Sequence, residues 1–193
     1  MVSTKIFEAA KLATLVHKNQ TRKDGTPYID HPFAVAFIVS RYTTDEDLII
    51  AGLLHDVIED VDKAEYSEAQ MLKDFGPKIF RIVSDLSDKR DPMSDADEIK
   101  TWKERKTKYL NHLKVCELDS LLVCCADKIH NFYDSSKVLK IIGEDLWTRF
   151  HASKSEEFWY MTSCYEIINS RMPGAMADEL KYYVEEVKKL SPL

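Results

Sequence analysis

Glycine and proline are scarce in this chain, five and six among 193 residues, and no alternating Val/Ile/Thr run recurs. A sheet-rich fold needs that alternation with Gly and Pro at its turns, so the composition points to helix. No stretch approaches the ~18 apolar residues of a membrane span. The N-terminus, Met-Val-Ser-Thr-Lys-Ile-Phe-Glu, lacks the apolar core of a signal peptide. Positive charge is in deficit, with 27 Lys and Arg against 33 Asp and Glu, for a net charge of −6. A general nucleic-acid binder neutralises phosphates with Lys and Arg, so that class is disfavoured, whereas a small phosphorylated ligand needs only a local basic cluster. The cysteines, Cys116, Cys124, Cys125 and Cys164, lack zinc-site spacing and read as small buried hydrophobes in a reducing cytoplasm.

What is present describes an ordinary globular protein, 45% hydrophobic and 31% charged. The length favours one domain over 1–193 with a substantial core. Periodicity and caps give an all-α bundle of roughly eight to ten helices. Ser3 caps a first helix running to about Asn19, with His17 a surface or flanking residue. Gly25, Pro27 and Pro32 punctuate an irregular segment, and a nearly all-apolar helix over 33–40 follows as a central element. Thr44 with Asp47 resembles a capping box and starts the helix that carries 53–60. Ser67 opens a short helix ending near Gly76, and Pro77 restarts the chain. Residues 84–101 are the most polar stretch and include a mobile loop over the site. A basic helix over 102–109, a helix capped by Asp119 or Ser120, two further helices at about 144–151 and 153–170, and a last one over 176–190 complete the chain.

The stretch Leu53-Leu54-His55-Asp56-Val57-Ile58-Glu59-Asp60 ends an apolar run in ionisable groups, which must be paired or bound to a metal when taken out of water. On one continuous helix, His55 and Glu59 are i and i+4, as are Asp56 and Asp60. Asp127 likewise closes the apolar run 121–126, and His31 stands at the Pro32-flanked entrance of its helix. His31, His55, Asp56 and Asp127 are therefore the candidate metal ligands. Two nitrogens and two oxygens without thiolate are compatible with Mn²⁺, Fe²⁺, Zn²⁺ or Mg²⁺. Glu59 and Asp60 adjoin them as carboxylates able to accept or steer a water proton. Arg22 and Lys23 suit phosphate recognition, and Asn131 a sugar or phosphate.

His31…His55-Asp56…Asp127 resembles the metal tetrad of the HD superfamily of phosphohydrolases. Arg22-Lys23-Asp24-Gly25-x-Pro27-Tyr28-Ile29-x-His31-Pro32, then Leu54-His55-Asp56-x-x-Glu59-Asp60, then Ala126-Asp127-Lys128-x-x-Asn131 closely resemble the hydrolase half of the RelA/SpoT-homologue proteins. The resemblance covers nearly the whole chain and leaves no length for a synthetase half, which implies a stand-alone small alarmone hydrolase. It implies an HD-domain bundle and a Mn²⁺-dependent removal of the 3′-pyrophosphate from (p)ppGpp or a related nucleotide polyphosphate. Glu59 and Asp60 would activate water, and Lys128 and Asn131 would lie next to the nucleotide. Ser87-Asp88-Lys89 and Arg105 align loosely with further family residues.

Departures from the family pattern fall where base and ribose would be read. Position 130 is His where Tyr is common. An Arg-x-x-x-Tyr pair offered to the nucleotide becomes Lys154-x-x-x-Phe158, exchanging a planar fork for a point charge and losing a hydroxyl. Guanine or adenine, (p)ppGpp or (p)ppApp, is thus open. A nucleotidase acting on NADPH or deoxynucleotides and a non-catalytic nucleotide sensor are the alternatives.

Overall fold

Side-chain capping explains several helix starts in the computed structural model, which describes residues 3–22, 25–62, 64–87 and 95–193. The described residues contain ten α-helices and one 3-10 helix: α1 (Thr4–Val16), α2 (Asp30–Tyr42), α3 (Glu46–Leu54), α4 (Val57–Asp60), α5 (Glu68–Phe75), α6 (Pro77–Leu86), α7 (Asp95–Leu113), α8 (Leu118–Ile142), the 3-10 helix Gly143–Arg149, α9 (Lys154–Arg171) and α10 (Ala175–Leu190). No strand occurs among them, and a single antiparallel bridge joins Thr21 to Pro27. Ser3 accepts the Ile6 N–H and Ser67 the Gln70 N–H, each filling a donor that the first turn leaves open. Ser153 and Glu156 form a reciprocal capping box at the head of α9. Gly76 sits at φ 85°, a conformation that ends α5 at little steric cost, and Pro77 opens α6. The fold class is the expected all-α HD-domain-like helical bundle. No described helix is long and apolar enough to cross a membrane.

The chain divides into two compact units, Met1–Lys89 with Leu122–Asp127 and Arg90–Leu121 with Lys128–Leu193. In the first unit α3 is the shared element, packed against α1, α2 and α6. Its Ile50, Ala51 and Leu54 are fully buried, as are Val35 and Val39 of α2 and Ile79, Ile82 and Val83 of α6. In the second unit α9 packs on α7 and α10. There Arg171 donates to the carbonyls of Leu113 (2.8 Å) and Cys116 (2.7 Å), tying α9 to the end of α7.

Several expectations are corrected. The cap of α3 is Asp45, which accepts the Asp47 N–H at 3.0 Å, one residue beyond the expected Thr44. Helix α8 starts at Leu118 with Glu117 as its cap, ahead of Asp119 and Ser120. The α2 segment is not buried all round, since Phe37 is 70% exposed. His17 is no surface residue but 1% exposed. Of the 84–101 stretch, 84–86 and 95–101 are helical, as α6 runs to Leu86 and α7 begins at Asp95, and the expected loop falls on residues 88–94, which lie outside the described ones. The helix through 53–60 is broken rather than continuous: α3 stops at Leu54, and α4 is a single turn from Val57.

Gly52 allows α2 and α3 to approach closely, because a Cβ there would lie 3.1 Å from the Ala36 Cα and 3.3 Å from its nitrogen. Backbone of a buried helix cannot yield cheaply. Gly52→Ala is therefore expected to destabilise, the overpacking cost of about 1–3 kcal/mol exceeding the ~1 kcal/mol that alanine gains in a helix. A lowered urea midpoint with unchanged slope checks this.

Candidate metal centre

Four side chains from three segments converge within the first unit. His31 lies in the first turn of α2. Its approach is set by the turn after Thr21, where the Arg22 N–H donates to the Thr26 carbonyl at 2.9 Å and the Gly25 N–H to the Arg22 carbonyl at 2.9 Å. Gly25 takes φ 88°, a value that a residue with Cβ adopts only under strain. The Tyr28 N–H then returns to the Gln20 carbonyl at 3.0 Å. His55 and Asp56 occupy the break after α3, and Asp127 comes from the part of α8 that belongs to this unit.

His55 Nδ1 lies 2.9 Å from the Gly52 carbonyl, in the last turn of α3. A carbonyl only accepts, so Nδ1 carries a hydrogen and Nε2 is the ring nitrogen that faces the cluster. That Nε2 stands 3.1 Å from His31 Nε2, 2.9 Å from Asp56 Oδ2 and 3.8 Å from Asp127 Oδ1. His31 Nε2 is 3.2 Å from Asp127 Oδ1 and 3.6 Å from Asp56 Oδ2. Ligand atoms of His31, His55 and Asp127 all fall within 4.8 Å of one another, and all three residues are buried.

Two imidazole nitrogens facing each other among carboxylate oxygens form an electron-rich knot that a cation resolves. The set, two nitrogens and two oxygens without sulfur, fits a hard-to-borderline divalent ion. The Gly52 carbonyl supplies the outer hydrogen bond that orients such a ligand. Without an ion, protons must take over. Burial disfavours a charged His55, yet Asp56 and Asp127 outweigh it and push the imidazole up to about 9. Burial favours a neutral Asp56, but the His55 charge and hydrogen bond prevail and hold its carboxyl well below the ordinary range. Burial dominates at His31 and lowers it.

Asp60 lies beside this knot. The Tyr28 hydroxyl is 2.7 Å from Asp56 Oδ2 and 2.8 Å from Asp60 Oδ2. Asp60 is exposed at the surface, yet desolvation by its neighbours and then the Asp56 charge raise its carboxyl above the usual range. Glu59 is half-buried on α4, and Arg22 is half-buried at the base of the turn. Lys23, with Asp88 and Lys89, lies outside the described residues. The i, i+4 pairing of His55 with Glu59 and Asp56 with Asp60 does not arise on one helix, since the break intervenes, although the Asp60 N–H still reaches the Asp56 carbonyl at 2.9 Å. Tyr28, Gln20 and His17 were given no role by their residue types alone. The available signal was Tyr28 standing three residues before His31 in a Pro-flanked turn.

The other expected ligand contacts belong to the second unit. Lys128 points its ammonium at the rings of Tyr109 (5.3 Å) and Tyr160 (5.7 Å). Asn131 follows within α8 and its carbonyl accepts the Ser135 hydroxyl at 3.0 Å. Arg105 Nε meets Thr101 Oγ1 at 3.3 Å on α7. Lys154 donates to Glu144 at 3.0 and 3.2 Å and to the Pro192 carbonyl at 2.8 Å. Phe158 is 4% exposed and packs edge-on against Trp147 at 5.3 Å. The pair expected to read base and ribose thus contacts Glu144, Pro192 and Trp147 within the second unit.

The chain resembles known proteins over most of its length. Residues 9–144 match the HD domain family. The Danio rerio protein named guanosine-3′,5′-bis(diphosphate) 3′-pyrophosphohydrolase MESH1 is 35% identical over 136 residues, spanning 68% of this chain and 69% of that protein. The Escherichia coli bifunctional (p)ppGpp synthase/hydrolase SpoT is 35% identical over 127 residues, which are 66% of this chain but 17% of SpoT. A solved structure, described as a metazoan ortholog of SpoT that hydrolyzes ppGpp, superposes with a TM-score of 0.74 at 25% identity, covering 98% of this chain and 96% of that one.

Metal ligation requires a neutral His55, and the metal-free imidazole is charged up to about 9. Metal uptake at pH 7 is therefore expected to release about one proton, and apparent affinity to rise with pH until that value is passed. Calorimetry of divalent metal binding in buffers of different ionisation enthalpy reads the proton count, and zero release overturns the expectation.

Proposed function

The chain belongs to the HD-domain family and, within it, to the guanosine-3′,5′-bis(diphosphate) 3′-pyrophosphohydrolases, and from that membership we propose that it removes pyrophosphate from the 3′ position of (p)ppGpp, (p)ppApp or both. The observation that carries this reading is the buried facing pair of His31 and His55 with Asp56 and Asp127, with Asp60 one hydroxyl away. We propose Mn²⁺ as the resident ion. When bound, it would polarise a phosphoryl oxygen and acidify water. Residues 1–193 would act as one catalytic domain, a reading supported by a family match that begins in the first unit and ends in the second. Four buried free cysteines fit a reducing cytoplasm.

The chain's own groups divide the work. His31, His55, Asp56 and Asp127 would hold the ion. Glu59 and Asp60 would accept the proton of the attacking water as its oxygen bonds to the 3′ phosphorus. The bond from that phosphorus to the ribose 3′ oxygen breaks, and a proton reaches the departing oxygen, leaving a 5′-nucleotide and pyrophosphate. A carboxylate raised above its ordinary range, as Asp60 is, is a stronger base than one free in water. Arg22 and Lys23 would neutralise phosphate, and Lys128 and Asn131 would contact the nucleotide.

The test is purified protein with Mn²⁺ against ppGpp, pppGpp, ppApp and NADPH, with products resolved by chromatography. Free pyrophosphate with GDP, GTP or ADP is expected. Orthophosphate from NADPH alone would favour a nucleotidase, and tight alarmone binding without turnover a sensor. Glu59→Gln is expected to lower kcat by about 10²- to 10⁴-fold at unchanged metal content. Unchanged pyrophosphate release with unchanged metal content removes Glu59 from the mechanism.

A further inference from the structure

One tyrosine touches both halves of the proposed machinery. We propose that Tyr28 is a positioning residue whose single hydroxyl ties the candidate metal ligand Asp56 to the candidate base Asp60, with Gln20 bracing the Asp60 backbone. This deepens the hydrolase reading and rests on it for the role of Asp60.

The Tyr28 oxygen lies 2.7 Å from Asp56 Oδ2 and 2.8 Å from Asp60 Oδ2. That Asp56 oxygen is the one that faces His55 Nε2 at 2.9 Å and His31 Nε2 at 3.6 Å. The hydroxyl therefore meets the atom that would hold the ion. A phenol has one hydrogen and cannot donate fully to two acceptors at once. Asp56 Oδ2 has two lone pairs, so it can keep this bond on one while the other faces an ion, and the same hydroxyl holds the Asp60 carboxyl beside it. The contact thus links the ion to the orientation of the base.

The ring is held for this task. Tyr28 stacks tilted on His17 at 5.0 Å and meets His31 edge-on at 6.0 Å. Gln20 Nε2 donates to the Asp60 carbonyl at 2.9 Å, so its Oε1 is the atom turned to His17 Nδ1 at 2.6 Å. An amide oxygen only accepts, which puts the hydrogen of His17 on Nδ1. His17 Nε2 is buried with no hydrogen-bond partner among the described residues. An apolar ring there would avoid leaving an acceptor unsatisfied. A histidine that keeps this defect is explained by the bond that it gives Gln20, and through Gln20 to Asp60.

The test uses Tyr28→Phe, which removes one oxygen and keeps the ring packing. Loss of an outer hydrogen bond to a ligand typically costs ~10- to 100-fold in metal affinity or activity. Mn²⁺ binding to the metal-free protein, measured by calorimetry, is expected to weaken by ~10-fold or more. Unchanged or tighter binding overturns the tie to Asp56, and this reading does not depend on the substrate. At saturating Mn²⁺ the variant is expected to lose kcat with KM kept within about twofold, the pattern of a contact that matters in the transition state. In an Asp60→Asn background the same substitution is expected to cost little more, because the two residues act as a unit; full additivity overturns the tie to Asp60. Should Tyr28→Phe fail to fold, Gln20→Ala replaces it. Reduced kcat at unchanged Mn²⁺ affinity is then expected, and unchanged kcat overturns the proposal. A wild-type protein that binds Mn²⁺ but hydrolyses none of the nucleotides sinks the hydrolase reading, while the calorimetric arm still judges Tyr28.

Discussion

Two imidazole nitrogens 3.1 Å apart, hemmed by carboxylate oxygens in a buried setting, are the constraint that organises the first unit. Such atoms repel unless a positive charge lies among them, and a dry surrounding strengthens both the repulsion and its remedy. The protein accepts this cost because the surrounding scaffold leaves the side chains little freedom. His55 is pinned at Nδ1 by the Gly52 carbonyl, and Asp56 is gripped by both His55 and Tyr28.

Helix geometry delivers these groups economically. Gly52 lets α2 and α3 pack closely enough that the N-terminal end of α2 and the C-terminal end of α3 bring His31 and His55 together. The stop at Leu54 then matters as much as the helix before it. A continuous helix would have fixed the directions of His55, Asp56, Glu59 and Asp60 by rotation alone. The break frees Asp56 to turn towards both histidines, and a separate turn carries Glu59 and Asp60.

The second unit shows how a basic run can be used for packing. Lys103 lies 3.0 Å over the Trp159 ring, and Lys106 and Lys128 both approach Tyr160. Trp102 meets Trp159 and Tyr160 edge-on. Cation–π attraction and the apolar stems of lysine let charged residues cover aromatic surface, so the 102–109 helix is more than a wetted face.

Much of this was legible in the residues. The scarcity of glycine and proline pointed to the all-α class, and Ser3, Ser67 and Pro77 marked true helix starts. Apolar runs ending in His55-Asp56 and in Asp127 pointed to groups that the structure brings together, because buried charge demands a partner wherever the chain places it. These rules act within a few residues of sequence. The break after Leu54, the burial of His17 and the closed setting of Phe158 were not legible, since each depends on what distant segments bring alongside. Sequence by itself determined which groups could bind a cation and which helices carry them. Only the tertiary structure decided which lone pairs face one another and that one tyrosine hydroxyl spans two carboxylates, because those relations come from side-chain orientations fixed by packing between segments that no local pattern records.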